Sequence, residues 1–355
     1  MKKVYLLTFH GSVNYGAVLQ AYALHQTLND LGCDCKVIDY NRELHHKNFL
    51  TIQKNGLKSV IVQLLQLPSK RSLHKKFDNF TKTNMELTPS FNGHGALNNG
   101  DFEKDAVYIT GSDQVFNCQL TEDNFHYYFD FTDSPNKYSY AASFGVSEID
   151  DWNSKDRVIE LLKDFKAVSV REESGQKIIK DNLGMDSLVV CDPTFLLKKE
   201  QWSQLTKPVK EEKYIALFML AKNDELISRA KAFAKEKGLK ILNLAYTVKG
   251  IDGIEDRKNL SPQEWLSYIK NAQYVFTNSF HGFALSLNFN KQVWVALSKI
   301  GRNSRIVDLA NRYGVHSRII EGDIVKDDIN YEKVNERIDN DRDLSKQFLE
   351  AILNE

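Results

Sequence analysis

The segment Thr277-Asn278-Ser279-Phe280-His281-Gly282 carries the clearest chemical signal in the chain. It follows an apolar run and precedes an apolar helical pattern, so it is predicted to form a strand-to-helix turn. An imidazole at such a turn titrates near neutral pH and suits a general acid or base. Ser279 and the backbone N–H groups beside it could hold an anion. A purely structural role for His281 is the alternative, and the residue types leave both open.

Arginines supply the candidate cationic contacts. Arg171 is the first residue after the apolar run Ala167–Val170, at the carboxyl end of a predicted strand. A guanidinium there suits bidentate binding of phosphate or carboxylate, although a surface salt bridge with one of the two glutamates that follow is the alternative. Arg302 and Arg305 lie at the N-terminal end of a predicted helix, where both interact unfavourably with the helix dipole. An anion that bridges these two side chains would remove the conflict.

A polar loop follows the predicted strand Ala106–Thr110 and contains Ser112, Asp113 and Gln114. The carboxyl end of a parallel strand is a good position for a site. Ser112 or Asp113 could also cap the next helix, and the two roles are compatible.

The first predicted strand leads into a loop with Asn14 and Gly16, and a helix follows. Glycine allows close backbone approach, and the helix N-terminus offers N–H groups to an anion. The loop is neither a GxGxxG sequence nor a P-loop, so it does not predict dinucleotide or ATP binding. Asn14 could equally bond the backbone of its own turn.

Short apolar runs alternate with helical patterns along most of the chain, which predicts parallel strands covered by helices. The first series of predicted strands is Lys3–Phe9, Lys36–Asp39, Ala106–Thr110, Tyr138–Ala142, Ala167–Val170 and Leu188–Cys191. The second series is Tyr214–Leu220, Lys240–Leu244, Tyr274–Thr277, Gln292–Leu297 and Ser317–Ile320. Two series predict an α/β protein with two Rossmann-like domains facing a cleft, at 1–205 and 206–355. Ligands of open α/β sheets bind beyond the carboxyl ends of the strands, where the polar loops lie.

Predicted helices lie between these strands, at Ala17–Leu31, Asp224–Lys237, Pro262–Asn271, Phe283–Asn288 and Ser304–Tyr313. The charged helical segment Tyr331–Leu353 is expected to cap the second domain or to cross back to the first.

The segment 45–95 interrupts the alternation and is predicted to be a helical insertion. Residues 45–85 contain eight Lys and Arg but one acid, Asp78, and Gly56–Leu67 has an apolar helical pattern. One interpretation is a solvated surface insertion. The other is an interfacial helix that approaches an anionic membrane or a lipid-linked substrate.

Composition excludes several classes of protein. The 355 residues carry 47 Lys and Arg and 47 Asp and Glu, which argues against non-specific nucleic-acid binding. Hydrophobic residues make up 42%, as in ordinary globular proteins. No apolar run approaches the ~18–20 residues of a membrane span. The four cysteines form no CxxC pair and have no histidine at metal-ligand spacing, so we expect free thiols in a reducing cytoplasm and no metal.

Five segments together resemble the polysaccharide pyruvyltransferase family, whose members are similar to GT-B glycosyltransferases. In order they are Asn14-Tyr15-Gly16-Ala17-Val18-Leu19-Gln20, Gly111-Ser112-Asp113-Gln114-Val115, Val170-Arg171-Glu172, Asp192-Pro193-Thr194 and Ser279-Phe280-His281-Gly282. The resemblance implies a GT-B-like fold and transfer of pyruvate from phosphoenolpyruvate onto a sugar as a cyclic ketal, with release of phosphate. Phosphoenolpyruvate is then a substrate, and no other cofactor is implied.

The resemblance also implies roles for individual residues. Arg171 would be a catalytic ligand of phosphate or carboxylate, and His281 would be the catalytic proton-transfer residue. Some members carry Arg-Leu-His where this chain has Ser279-Phe280-His281, so Arg302 or Arg305 would replace the missing cation, or the donor would differ. The implied substrate-binding residues are Asn14, Gly16, Ser112, Asp113, Gln114, Ser279, Phe280, Gly282, Arg302 and Arg305.

Two other functions stay open at this point. The same architecture serves nucleotide-sugar glycosyltransferases and epimerases, and it could also serve a non-enzymatic glycan-binding paralogue. The expected partners are phosphoenolpyruvate and a sugar or glycan acceptor, free or lipid-linked, and no nucleic acid. The expected location is the cytoplasm, with peripheral contact to the inner membrane face through 45–85 as an open alternative.

Overall fold

The computed structural model describes residues 1–41, 47–52, 57–93, 95–248, 250–298 and 303–355. They form two compact units, of which the first is Met1–Leu196 with Leu344–Glu355 and the second is Leu197–Asp343. Each unit contains one sheet in which every strand pairing is parallel. A helix lies between successive strands of each sheet, except that the described residues between the strands Lys240–Asn243 and Glu255–Asp256 contain none. The prediction of an α/β protein with two Rossmann-like units is confirmed.

The sheet of the first unit has the order β2-β1-β3-β4-β5-β6. Its strands are β1 Lys3–Leu7, β2 Asp34–Val37, β3 Val107–Thr110, β4 Lys137–Ala142, β5 Phe165–Val170 and β6 Leu188–Val189. Every residue of β3 and β4 is buried, as expected for parallel strands covered on both faces. The direction of strand addition reverses between β1 and β3. The loops after these two strands therefore lie where open α/β sheets bind ligands.

The helices of the first unit are α1 Tyr15–Asp30, α2 Leu57–Asn84, α3 Cys118–Thr121, α4 Lys155–Leu162 and α5 Glu173–Leu183. The predicted helix Gly56–Leu67 is only the beginning of α2, which continues through Pro68. A proline removes one backbone donor, but Leu73, Phe77 and Phe80 are buried and hold the second half of α2 on the unit. The described residues of 45–95 contain no strand and only two isolated bridges, to Val37 at the end of β2 and to Tyr40.

The sheet of the second unit has the order β11-β10-β7-β8-β9. Its strands are β7 Tyr214–Phe218, β8 Lys240–Asn243, β9 Glu255–Asp256, β10 Tyr274–Thr277 and β11 Gln292–Val295. Here strand addition reverses between β7 and β10. The predicted strand Ser317–Ile320 is wrong, because residues 316–318 close a 3₁₀ turn and only Ile319 makes a bridge, to Val295.

The helices that begin in the second unit are α6 Lys199–Leu205, α7 Asp224–Lys237, α8 Pro262–Asn271, α9 Phe280–Asn288, α10 Ser304–Arg312 and α11 Tyr331–Asn354. The bounds of α7 and α8 are those predicted, because both have strong N-caps. The side chain of Asn223 accepts from the third residue of α7. Ser261 and Glu264 form a capping box at the start of α8.

The observed division differs from the predicted boundary at 205/206. Helix α6 belongs to the second unit, where Trp202 is fully buried and Asn288 Nδ2 donates to the Leu197 carbonyl at 3.0 Å. The end of α11 returns to the first unit, where Ser345 Oγ accepts from the Cys191 N–H at 2.9 Å. Of the two expectations for this segment, the return to the first unit is the one observed for its last residues.

All four cysteines are free and buried. Burial raises the pKa of Cys35 well above its usual value, so this thiol is not a reactive one. Among the helices of the described residues, none combines the length and the apolar character that a membrane crossing requires.

Candidate functional site

The loop after β3 is built around Gly111, whose φ is +121°. A Cβ on this residue would lie 2.0 Å from the Tyr140 carbonyl oxygen, so no side chain fits. The peptide bond from Gly111 to Ser112 is cis, and Asp113 has a φ of +75°. Ser112 is fully buried, and its Oγ accepts from the Asp113 N–H at 2.6 Å. The backbone thus presents Ser112 and Asp113 at the carboxyl end of β3.

Gln20 joins this loop to the end of β1. Its Oε1 accepts from the Ser112 N–H at 3.3 Å, and its Nε2 donates to Thr8 Oγ1 at 2.9 Å. Thr8 Oγ1 in turn donates to the Ser112 carbonyl at 3.1 Å. Sequence reasoning did not assign a role to Gln20. The available signal was its position in the first family segment, on the second turn of α1.

Arg171 lies directly after β5 and is surrounded by three carboxylates, and we call these four residues the Arg171 cluster. Its Nη1 is 2.9 Å from Asp192 Oδ2, its Nη2 is 3.6 Å from Asp113 Oδ1, and its Nε is 3.5 Å from Glu172 Oε2. Burial by itself lowers the pKa of Arg171, but the charges of Asp192, Glu172 and Asp113 outweigh it and raise the pKa above its usual value. The salt bridge with Glu172 weighed from the sequence is present, but it is buried.

Asp192 connects three strand ends of the first unit. Its Oδ2 faces both Arg171 and Ser112 Oγ, the latter at 3.5 Å. Its Oδ1 accepts from the N–H of Thr194 at 3.0 Å and from the Thr194 hydroxyl at 2.7 Å. Sequence reasoning placed Asp192 and Thr194 in a family segment but did not pair Asp192 with Arg171.

The remaining predicted residues of the first unit bond locally. Asn14 is the N-cap of α1, and its Oδ1 accepts from the N–H of Gly16 at 3.0 Å and of Ala17 at 3.4 Å. Bonding of Asn14 to its own turn, one of the two predicted roles, is therefore observed. Gly16 is buried in the first turn of α1.

Gln114 supports the start of the next helix through Asn117. Its Oε1 accepts from Asn117 Nδ2 at 3.1 Å, and the Asn117 side chain caps α3. The interpretation of Ser112 or Asp113 as the cap of the next helix is therefore wrong, because the loop runs on to Asn117 before α3 begins.

In the second unit, residues 277–282 form the predicted strand-to-helix turn, which we call the His281 turn. Ser279 is the N-cap of α9, since its Oγ accepts from the Gly282 N–H at 3.3 Å. Asn278 ties this turn to the loop after β7, because its Oδ1 accepts from the Leu220 N–H at 2.9 Å and its Nδ2 donates to the Ala221 carbonyl at 2.8 Å. The turn therefore lies at the point where strand addition reverses.

Close packing of α9 on β10 explains why residue 282 is a glycine. A Cβ on this residue would lie 2.6 Å from Thr277 Oγ1 and 3.1 Å from a ring carbon of Phe218. His281 is 7% exposed, and its ring meets the Phe280 ring edge-on with the centroids 5.1 Å apart.

Arg305 approaches the His281 turn from α10. Its Cζ lies 5.9 Å from the centre of the Phe280 ring, within the range of a cation–π contact. Arg302, the other predicted cation, lies outside the described residues.

The structure thus groups the predicted residues within each unit. Ser112, Asp113 and Arg171 meet in the first unit, and residues 279–282 with Arg305 meet in the second. Within the described ranges, no group of three or more His, Cys, Asp or Glu side chains has the geometry to hold a metal ion.

Solved structures with a similar course of the chain include UDP-GlcNAc 2-epimerase from Methanocaldococcus jannaschii. It is 13% identical, with 96% of this chain and 92% of that chain covered and a TM-score of 0.48. UDP-GlcNAc 2-epimerase from Neisseria meningitidis, bound to UDP-GlcNAc, is 10% identical over 100% of this chain and 94% of that chain, with a TM-score of 0.46. Both TM-scores are below 0.5, so neither likeness bears on activity.

No curated protein matches the chain significantly. The family model for polysaccharide pyruvyl transferase matches residues 14–298, a range that includes both the Arg171 cluster and the His281 turn. Because this match spans most of the sequence, the chain belongs to the polysaccharide pyruvyl transferase family.

Proposed function

We propose that this chain transfers the pyruvate unit of phosphoenolpyruvate onto a sugar of a cell-surface polysaccharide or its precursor. The product is a cyclic ketal, and phosphate is released. The family match over residues 14–298 carries the proposal, because it includes a buried arginine at the end of β5 and a histidine in the first turn of α9.

The reaction requires proton transfer and anion binding. Protonation of the methylene carbon makes C2 of phosphoenolpyruvate electrophilic, so one sugar hydroxyl adds there and gives up its proton. The C2–O bond to phosphate then breaks and phosphate leaves with its electron pair. A second hydroxyl of the same sugar adds at C2, gives up its proton and closes the ketal. His281 is the proposed proton donor or acceptor, since an imidazole serves either role near neutral pH. These steps use no metal and no other cofactor.

Arg171 is the proposed ligand of the donor phosphate. Of its three carboxylate contacts, that with Asp113 is the longest at 3.6 Å, and the Asp113 side chain is the most exposed of the three at 13%. In the proposed complex, phosphate replaces Asp113 on Nη2 while Asp192 keeps Nη1. A guanidinium held on one side in this way is already oriented for the anion.

Arg305 is the proposed replacement for the arginine that some family members carry at the position of Ser279. The supporting observation is that its guanidinium lies over the Phe280 ring, next to His281 in sequence. The acceptor is proposed to be a sugar or glycan, free or lipid-linked.

The decisive experiment is incubation of the purified protein with phosphoenolpyruvate and sugars that carry a free 4,6-diol. We expect release of phosphate and a pyruvate ketal on the sugar, both abolished by His281→Ala. Absence of phosphate release with every such acceptor, together with no binding of phosphoenolpyruvate by calorimetry, would overturn the proposal.

The same preparation separates the other functions. Thermal stabilisation by a UDP- or GDP-sugar but not by phosphoenolpyruvate would indicate a glycosyltransferase or epimerase. Glycan binding that survives His281→Ala without any turnover would indicate a binding protein.

A further inference from the structure

The first half of α2 exposes an apolar surface. Ile61 is 49% exposed, Val62 50%, Leu64 51% and Leu65 77%, and we call these four residues the apolar tip. Ile61, Leu64 and Leu65 have the spacing i, i+3 and i+4, so they lie on one side of the helix. Four of the nine large hydrophobic residues that are exposed in the described part of the chain thus fall within five consecutive positions.

The second half of α2 anchors the helix on the first unit. Phe77 packs against Tyr15 with ring centroids 5.0 Å apart, and Phe80 packs against Tyr22 at 5.9 Å. Tyr15 is the first residue of α1, so α2 residues before Phe77 lead past the N-terminal end of α1. This end of α1 follows the carboxyl end of β1, at the sheet edge that carries Ser112 and Arg171. The apolar tip therefore extends on the side of the unit where we propose that substrate binds.

Basic residues follow the apolar tip on the same helix. Arg71 and Lys75 are exposed, and they are seven and eleven residues after Leu64, which places them on its side of α2. Lys70, Lys76 and Lys82 add further positive charge, whereas Asp78 is the one acid of α2 and pairs with Lys82 at 2.9 Å. An apolar surface continued by cations is complementary to the interface of an anionic bilayer.

We propose that the apolar tip, with Arg71 and Lys75, docks on the surface of a bilayer that contains anionic lipid. A second copy of the chain fits less well, because a stable protein interface buries about 1,200 Å² or more, and four side chains within five consecutive residues cover far less. The inference goes beyond the proposed function, since ketal formation does not require a membrane. Its consequence for that function is that a lipid-linked sugar would be within reach of the carboxyl edge of the first sheet.

The test is co-sedimentation of the full chain with vesicles of phosphatidylcholine, with or without phosphatidylglycerol. We expect binding that requires phosphatidylglycerol and weakens at high salt. The double variant Leu64→Gln, Leu65→Gln should lower the partition coefficient about tenfold or more, because two leucines no longer insert. Arg71→Glu with Lys75→Glu should lower it by a similar factor, because two cations that attract the anionic surface become anions that it repels.

Matched controls lie elsewhere on the first unit. Leu120→Gln changes a leucine that is also 51% exposed, and Lys177→Glu reverses an exposed charge on α5, so both should bind as the unmodified protein does. Equal binding to neutral vesicles, no binding at all, or an undiminished affinity of the double leucine variant would each overturn the proposal. Self-association that the leucine variant abolishes, seen by sedimentation velocity without vesicle binding, would assign the surface to a second copy instead. None of these readouts depends on turnover, so failure here leaves the proposed reaction standing.

Discussion

The Arg171 cluster and the His281 turn follow parallel strands in their respective sheets, but different forces hold them. In the first unit, one guanidinium and three carboxylates fix one another through ion pairs in a buried setting. In the second unit, helix capping by Ser279 and close packing at Gly282 set the position of the imidazole. The difference implies that a substitution in the Arg171 cluster changes both stability and catalysis. A substitution of His281 can instead lower catalysis with a smaller change in stability.

Both units use an amide side chain to join loops at the point where strand addition reverses. In the first unit, the amide of Gln20 bonds the loops after β1 and β3. In the second unit, the amide of Asn278, itself in the loop after β10, makes two bonds to the loop after β7. An amide both donates and accepts, so one side chain can join two loops without adding charge.

Substitution of His281 tests whether turnover can be lost at the His281 turn with little loss of stability, and it has the largest expected effect. His281→Gln should lower kcat by about 10²–10⁴, the usual loss when a general acid or base is removed. The melting temperature should fall less than in a cluster variant, because the cap at Ser279 and the close fit at Gly282 do not use the imidazole. Phosphate release and differential scanning calorimetry measure the two quantities. A stability loss as large as that of a cluster variant would contradict the difference between the His281 turn and the Arg171 cluster.

Asp192→Ala tests whether stability and turnover fall together in the Arg171 cluster. Removal of one partner from a buried ion pair costs about 3–5 kcal/mol of unfolding free energy. This variant removes the shortest contact of Arg171 and the acceptor of the Thr194 N–H and hydroxyl. Urea denaturation should show this loss, and turnover should fall with it because Arg171 is no longer held.

The matched control is Asp186→Ala, which breaks an exposed pair with Lys180. Exposed pairs contribute about 0–1 kcal/mol, so this variant should remain close to the unmodified protein. Equal stability of the two variants would contradict a buried Arg171 cluster.

Gly282→Ala should destabilise the second unit by about 1–3 kcal/mol through overpacking, because its Cβ would meet Thr277 Oγ1 at 2.6 Å. Thr277→Ala in the same chain removes that oxygen and should recover part of the loss. Chemical denaturation of the single and double variants gives the coupling energy. Strictly additive losses would show that the contact does not constrain the turn.

Asn14→Ala has the smallest expected effect, about 0.5–2 kcal/mol of stability, because α1 loses its N-cap. Asn14→Ser keeps a capping oxygen and should restore most of that stability. The KM for phosphoenolpyruvate in the serine variant then tests substrate binding by Asn14 apart from capping. A large rise in KM at normal stability would assign the amide to the substrate.

Sequence patterns predicted the fold where local signals are strong. Apolar runs located the strands that bear the site, and caps fixed the ends of α7 and α8. They failed where the decisive contact is distant or the local signal is weak. Helix α2 passes Pro68 because buried residues further along hold it, and β9 is a polar pair of residues without an apolar run.

For the site, the sequence predicted which residues lie at strand ends but not which of them contact one another. Polar loops after strands indicated Ser112, Arg171 and His281, since strand ends are visible in sequence. The pairing of Arg171 with Asp192 was not predictable from spacing, because it depends on two strands lying side by side. Nor does the sequence show that Gly282 contacts Thr277, which depends on how closely α9 approaches β10.

The return of α11 to the first unit makes the second unit an insertion within the first. Ser345 bonds the backbone of Cys191, and the Lys2 ammonium donates to the Leu353 carbonyl at 2.8 Å. During synthesis, the first sheet therefore acquires its last supporting helix only after the whole of residues 197–343 has been made. Domains that emerge first usually fold first. In this chain, the first unit cannot complete its packing until residues 344–355 have been synthesised.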